Sequence, residues 1–287
     1  MSCANVRRLL VALMCTWLSA VPAPALGQAG TLSEEESMRR CPVKVPPGVM
    51  SAEVFTIIRQ LQSKPAETKD AIVVPVYVHI LQSSSGSNPV TPTRISRTIQ
   101  VLNRAFVKAG FQFRLQSTET VVNNEWAVIS ETEEYLYDEI AGSQNTGVRH
   151  GVNVYIGQLE GLCGIADLPY SENPNEALFL SYDCMVGGRL SNDTDTIAHE
   201  MGHFMGLLHT FAPEPNGCRG NGDGISDTPF EKVEHYQCRR YDTCPTKPGL
   251  DPVQNFMDYT GDDCNHVFTK RQMAVMRAAH RKYRLNG

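Results

Sequence analysis

Three features are scarce in this 287-residue chain, and each scarcity closes off a class of function. Long basic runs are missing. Lys and Arg number 26 against 31 Asp and Glu, for a formal charge of −5. A surface built for phosphate backbones is therefore excluded, and nucleic acid with it as a partner. An apolar run of about 20 residues is missing too. The longest, Leu9 to about Val21, is too short for a spanning anchor, so stable membrane insertion is not expected. Internal repeats are absent, which excludes a repeat array. What remains is 41% apolar and 20% charged, the balance of a globular chain with a sizeable core in one large domain or two small ones.

The short apolar run has a purpose of its own. Arg7 and Arg8 precede it, and Pro22, Pro24, Ala25, Gly27 and Ala29 follow it. Basic flank, short apolar stretch and small-residue exit make a secretory signal over residues 1–29, so the mature chain is expected outside the cell. A lipid anchor at Cys15 is disfavoured by bulky Met14 before it. Two of nine cysteines, Cys3 and Cys15, leave with that signal. Cys41, Cys163, Cys184, Cys218, Cys238, Cys244 and Cys264 remain, an odd number in a compartment that favours pairing.

Residues 30–68 read as a pro-segment, with Glu34–Glu36, a Pro42/Pro46/Pro47 cluster and one short helix. That helix begins after Ser51 and sets Val54, Ile57, Ile58 and Leu61 on one face. The folded domain is expected over 69–287. Ala71–Leu81 is β-branched and nearly continuous, as a buried strand should be. Ser83–Ser87 is a polar loop. Thr93 is expected to cap a helix carrying Ile95, Ile99, Leu102 and Phe106 and ending at Gly110. Further strands are marked by Phe111, Phe113 and Leu115, by Val152, Val154 and Ile156, and by Leu178 and Leu180. After His209 periodicity gives way to a stretch rich in Gly, Pro, Asp and Cys. A last helix starts at the capping box Thr269–Gln272 and runs to about Arg284.

Residues 199–209 read His-Glu-Met-Gly-His-Phe-Met-Gly-Leu-Leu-His. On a helix, His199 and His203 project from one face about 5–6 Å apart at Cβ, close enough to share one ion. Glu200 falls beside the metal rather than on it, where it can accept a proton from the attacking water. A straight helix would carry His209 too far along. Gly206 can turn the chain in the left-handed region and bring it back. Three protein ligands leave a fourth position open, the arrangement of catalytic zinc, which lowers the pKa of its water to about 7. By chance, the two histidines and glutamate at this spacing arise in roughly one chain in a hundred of this length, and the added Gly and His make coincidence about a thousandfold rarer. Asn255–Tyr259 lies downstream, where Met257 can supply a polarizable apolar floor under the metal.

This motif with a methionine turn behind it resembles the metzincin metallopeptidases. Thr210-Phe211 after the third histidine, Asp227-Thr228-Pro229 and Asn255–Tyr259 look specifically like the pappalysin family. Astacins usually carry Glu after the third histidine, adamalysins Asp and matrixins Ser. The likeness spans roughly 72–284. It implies an α/β (α+β) fold: a twisted mixed five-stranded sheet with a backing helix and an active-site helix to about residue 206. An irregular, disulfide-bonded subdomain with a terminal helix follows.

The resemblance further implies zinc held by His199, His203 and His209, with Glu200 and Tyr259 catalytic. It implies disulfides Cys218–Cys244 and Cys238–Cys264, leaving Cys163 and Cys184 for each other. The loop at 222–228 resembles the family's calcium site, with Asp223, Asp227 and Thr228 as oxygen donors; as a bare feature it is equally an acidic turn. Asp263 matches an acidic residue at the S1′ pocket of members that cut before Arg or Lys; alone, Asp262–Asp263 reads as a solvated pair. Gly164 to Ala166 is expected on the sheet's edge, where extended substrate can pair. Cys41, beside Arg39-Arg40, is either the fourth zinc ligand of a latent precursor or a disulfide partner, and Asn192 heads a glycosylation sequon. The function expected is zinc-dependent hydrolysis of internal peptide bonds in proteins or peptides. A silent zinc-binding recognition module and a zinc hydrolase of non-peptide amides or esters are the alternatives.

Overall fold

Val74, Val76, Val78 and Ile80, at alternate positions of the run from residue 72 to 82, build an inner strand of the sheet. The chain is seen in a computed structural model that describes residues 52–63, 71–86, 89–130, 133–146, 150–171, 173–190, 195–261 and 263–285. The signal at 1–29, Cys41 with Arg39-Arg40, and the sequon at Asn192 lie outside the described residues.

In chain order the main elements are α1 (Ala52–Gln62), β1 (Ile72–Gln82), α2 (Pro92–Phe106), β2 (Phe111–Val122), β3 (Val128–Ile129) and α3 (Glu134–Gln144). Then come β4 (Val152–Leu159), β5 (Gly164–Ala166), β6 (Leu178–Ser181), α4 (Thr196–Phe204) and α5 (Lys270–His280). The sheet runs β2-β1-β4-β6-β5, with short β3 alongside β4. All pairings are parallel except the last, where β5 runs antiparallel to β6 at the edge. The expected mixed five-strand path is present, with β3 as an addition.

Period-two alternation sorts the strands' side chains into two cores. Val74, Val76, Val78 and Ile80 of β1 join Val152, Val154 and Ile156 of β4 under α1, α2, α4 and α5. On the opposite face, Leu81, Tyr155 and Leu159 pack with Leu136, Tyr137 and Ile140 of α3. The stripe Val54, Ile58 and Leu61 of α1, inside the stretch read as a pro-segment, is buried in the first core. Gln62 ends that helix by donating to the Gly224 carbonyl (2.8 Å) and accepting from the backbone N–H of Ser226 (3.0 Å).

One boundary is corrected. The cap of α2 is Thr91, whose hydroxyl accepts from the Arg94 backbone N–H at 3.3 Å, not Thr93. Pro92 decides this, because a fixed φ and a missing N–H suit the first helical position. At the other end Gly110 takes φ 77°, as expected of a helix stop. Between α4 and α5 the described residues form turns and loops, with one isolated bridge between Asn255 and Val267. The pairs Cys163–Cys184, Cys218–Cys244 and Cys238–Cys264 are all formed.

Candidate metal centre and active site

Helix α4 carries His199, Glu200 and His203 with every side chain from Ile197 to Phe204 buried. It ends where Gly206 takes φ 98°, which reverses the chain and returns His209 to the same spot. The exit is held on two sides. Arg284 donates to the Phe204 carbonyl at 2.9 Å, and the Tyr170 hydroxyl donates to the Gly206 carbonyl at 3.2 Å.

The three imidazoles converge through Nε2. His203 Nε2 lies 3.0 Å from His199 Nε2 and 3.1 Å from His209 Nε2. Each Nδ1 is committed elsewhere: to the carbonyl of Phe256 (2.6 Å), the carbonyl of Leu207 (2.8 Å) and a carboxylate oxygen of Glu214 (2.8 Å). Such oxygens only accept, so each Nδ1 carries a proton, and in the neutral form of the ring each Nε2 then presents a lone pair. Burial, reinforced by neighbouring His209, pushes His199 down to about 3; burial also holds His203 well below the usual imidazole range. Ring nitrogens this close, all within 4.8 Å of one another, are the donor atoms a single cation would gather. The donor set therefore fits a divalent ion of zinc's preference, three nitrogens with a position left open.

Met257 is fully buried beneath α4. A Cβ placed on Gly202 would come 2.4 Å from Met257 Sδ, so helix and methionine turn meet where only glycine fits. The turn is pinned by Asn255, which accepts from the Met257 N–H at 3.0 Å and exchanges two hydrogen bonds with Gln272. Gln272 is also the third residue of the α5 capping box. The terminal helix thus holds the floor of the metal site. Tyr259, two residues on, brings its hydroxyl to 3.2 Å from His209 Nε2.

Glu200 is fully buried, and its side chain lies against the backbone of Gly164 in β5. The edge strand and the carboxylate are direct neighbours. Cys163–Cys184 ties the entry of β5 to the turn after β6.

The remaining sequence candidates fall differently. Asp223 is buried; one oxygen accepts from the Ile225 N–H at 2.9 Å, and the Thr228 hydroxyl, also buried, lies beside the carboxylate. Burial pushes the Asp223 carboxyl up to about 8. Asp227 is exposed and turned to α5, accepting from the Thr269 hydroxyl (2.7 Å) and the Arg271 N–H (3.0 Å). Asp263 is exposed, not the buried carboxylate that a sealed pocket would need.

Two features had no sequence signal in use. Glu214 sits five residues after His209, between Pro213 and Pro215; an acid shortly after the last histidine was the available hint. Glu231, His235 and Asp251 form a second buried group whose potential ligand atoms lie within 4.8 Å of one another. His235 Nε2 is 2.7 Å from Asp251, which also accepts from the Thr243 hydroxyl, and Glu231 accepts from the Thr210 hydroxyl at 2.6 Å. Only the i, i+4 spacing of Glu231 and His235 was visible beforehand.

A family model described as Pregnancy-associated plasma protein-A matches residues 138–280. The chain is similar to an extracellular metalloprotease of Neurospora crassa, 34% identical over 229 residues, which cover 75% of this chain and 77% of that one. It is similar to extracellular metalloprotease 1 of Coccidioides posadasii, 30% identical over 276 residues, 92% of this chain and 97% of the relative. Among solved structures, mature mirolysin of Tannerella forsythia with a cleaved peptide superposes at a TM-score of 0.61 and 22% identity, covering 76% of this chain and 97% of that one. Mirolysin in complex with a compound gives 0.64 at the same identity. These two likenesses show the metzincin fold.

Proposed function

The chain belongs to the pregnancy-associated plasma protein-A family of metallopeptidases and is a zinc metalloprotease, and on that premise we propose its mechanism, its substrates and its export. The substrates are extended segments of extracellular proteins or peptides, cut at internal bonds. The observation that carries this reading is the convergence of three Nε2 atoms beside a buried carboxylate and a sheet edge.

His199, His203 and His209 hold the zinc, which when bound supplies Lewis acidity toward water and the scissile carbonyl. An extended peptide adds to the outer edge of β5, pairing with the backbone of Gly164 and Ala166. That edge lies against Glu200, so a peptide there runs past the base. Glu200 takes the proton from the attacking water and passes it to the departing amine nitrogen, which leaves as a neutral group. Burial excludes bulk water around the carboxylate and strengthens each charge interaction there. The Tyr259 hydroxyl, beside the third histidine, donates toward the negative charge that develops on the carbonyl oxygen.

Export is supported by the leader-like first 29 residues and by relatives named extracellular. Calcium at Asp223 and Thr228 is supported by the burial of a carboxylate and a hydroxyl side by side, hard oxygen donors that a cation would suit. Asp263 is proposed to draw Arg or Lys to the position after the cut, its exposure limiting the gain to a modest preference.

The test is hydrolysis of casein by the mature chain, its loss on chelation and its return with zinc. A peptide-library digest by mass spectrometry then reports the bonds cut. Zinc binding with no cleavage of any peptide would favour a recognition module, and turnover of esters alone a different hydrolase.

A further inference from the structure

We propose that Glu214 is a positioning residue for the third metal ligand, orienting His209 and strengthening its hold on zinc. The inference rests on the reading that the histidine triad holds that ion.

The three histidines are not supported alike. His199 and His203 sit on a rigid helix and give their Nδ1 protons to backbone carbonyls. His209 lies beyond the helix, past the Gly206 reversal, and its ring orientation has to be set by side chains. Phe211 stacks on one face with ring centroids 4.5 Å apart, and Tyr259 meets the ring edge-on at 5.0 Å. Those contacts fix the plane but leave open which nitrogen carries the proton. Glu214 decides it. Its carboxylate accepts from Nδ1 at 2.8 Å, which keeps the Nε2 lone pair directed at the metal position.

A carboxylate does more there than a carbonyl. Its negative charge makes the imidazole a stronger donor and offsets part of the charge of an ion held by three neutral rings. Proline on both sides restricts φ at residues 213 and 215, and the Asn216 N–H closes a turn onto the Pro213 carbonyl at 3.0 Å. Glu214 is therefore presented on a stiff loop tip. Its side chain stays 56% exposed, so it can be replaced without opening the core.

The experiment compares wild type, Glu214→Gln and Glu214→Ala in the full mature chain, with zinc affinity read by competition against a chromophoric chelator and apo-protein melting as the folding control. The alanine variant is expected to bind zinc roughly 10–100-fold more weakly, and the glutamine variant to fall between, because an amide oxygen still accepts from Nδ1 without the charge. Apo melting should be unchanged in both. If the alanine variant does not fold, the glutamine variant alone must show a weakening of several-fold. Wild-type affinity in both variants overturns the role of Glu214. Failure of the wild-type chain to take up one zinc would instead overturn the reading of the triad itself.

Discussion

Gly164 and Glu200 are in contact where the edge strand β5 meets helix α4. A methyl group built on Gly164 would fall 2.6 Å from Glu200 Cγ and 2.7 Å from its Oε1, closer than packed atoms approach. Edge strand and carboxylate fit closely against each other, and the fit requires a residue with no side chain.

Gly164→Ala should therefore move the carboxylate without touching the metal ligands. A displacement on the order of 1 Å at a reacting group costs roughly 10²-fold in rate. Peptide-hydrolysis kinetics beside metal analysis check this: turnover should drop while zinc stays at one per chain. Unchanged turnover would mean that Glu200 is not held by the edge strand.

The opposite side of α4 makes a parallel case. Gly202→Ala would drive a Cβ to 2.4 Å from Met257 Sδ, both residues being fully buried. Overpacking of this kind costs about 1–3 kcal/mol. Chemical denaturation should show a lower midpoint with an unchanged slope, and a midpoint equal to wild type would show that the methionine turn yields freely.

Calcium should stabilise the chain through Asp223. At a hundredfold excess over its dissociation constant a single bound ion contributes roughly 2.7 kcal/mol. Calorimetry with calcium and with a calcium-selective chelator should separate the two melting temperatures, and Asp223→Asn should close the gap. A gap that persists in the variant would place the ion elsewhere.

His280 predicts the acid limb of stability. Its ring is buried against Phe111, and burial first, then Arg284, His150 and Arg277, push its pKa down to about 3. The unfolded chain, near 6.5, binds the proton sooner, so this group lowers stability as pH falls from about 6.5 toward 3. The slope approaches about 1.4 kcal/mol per pH unit for one proton. His280→Leu should flatten urea-midpoint curves between pH 6.5 and 4 relative to wild type. Parallel curves would show that the ring carries no such penalty.

The metal motif was legible because its geometry is local: i, i+4 histidines on a helix and a glycine that turns the chain. The capping box at Thr269 and the methionine turn are local for the same reason, though their mutual support through Asn255 and Gln272 appears only on folding. Helix α3 escaped notice because only Leu136, Tyr137, Ile140 and Ala141 mark its buried side in a polar stretch. Strand β3, with two residues, has no period to detect. The placement of Glu214 on His209 and of Gly164 on Glu200 depends on loop paths and chain closure, which no spacing encodes.

The most direct test of the whole account is Glu200→Gln, assayed for peptide cleavage and for bound zinc in the same preparation. A carboxamide keeps the shape of the side chain and cannot take the proton. One zinc per chain with peptide hydrolysis down by several orders of magnitude is the predicted result. Cleavage at the wild-type rate would contradict the account, because another group would then have to activate the water.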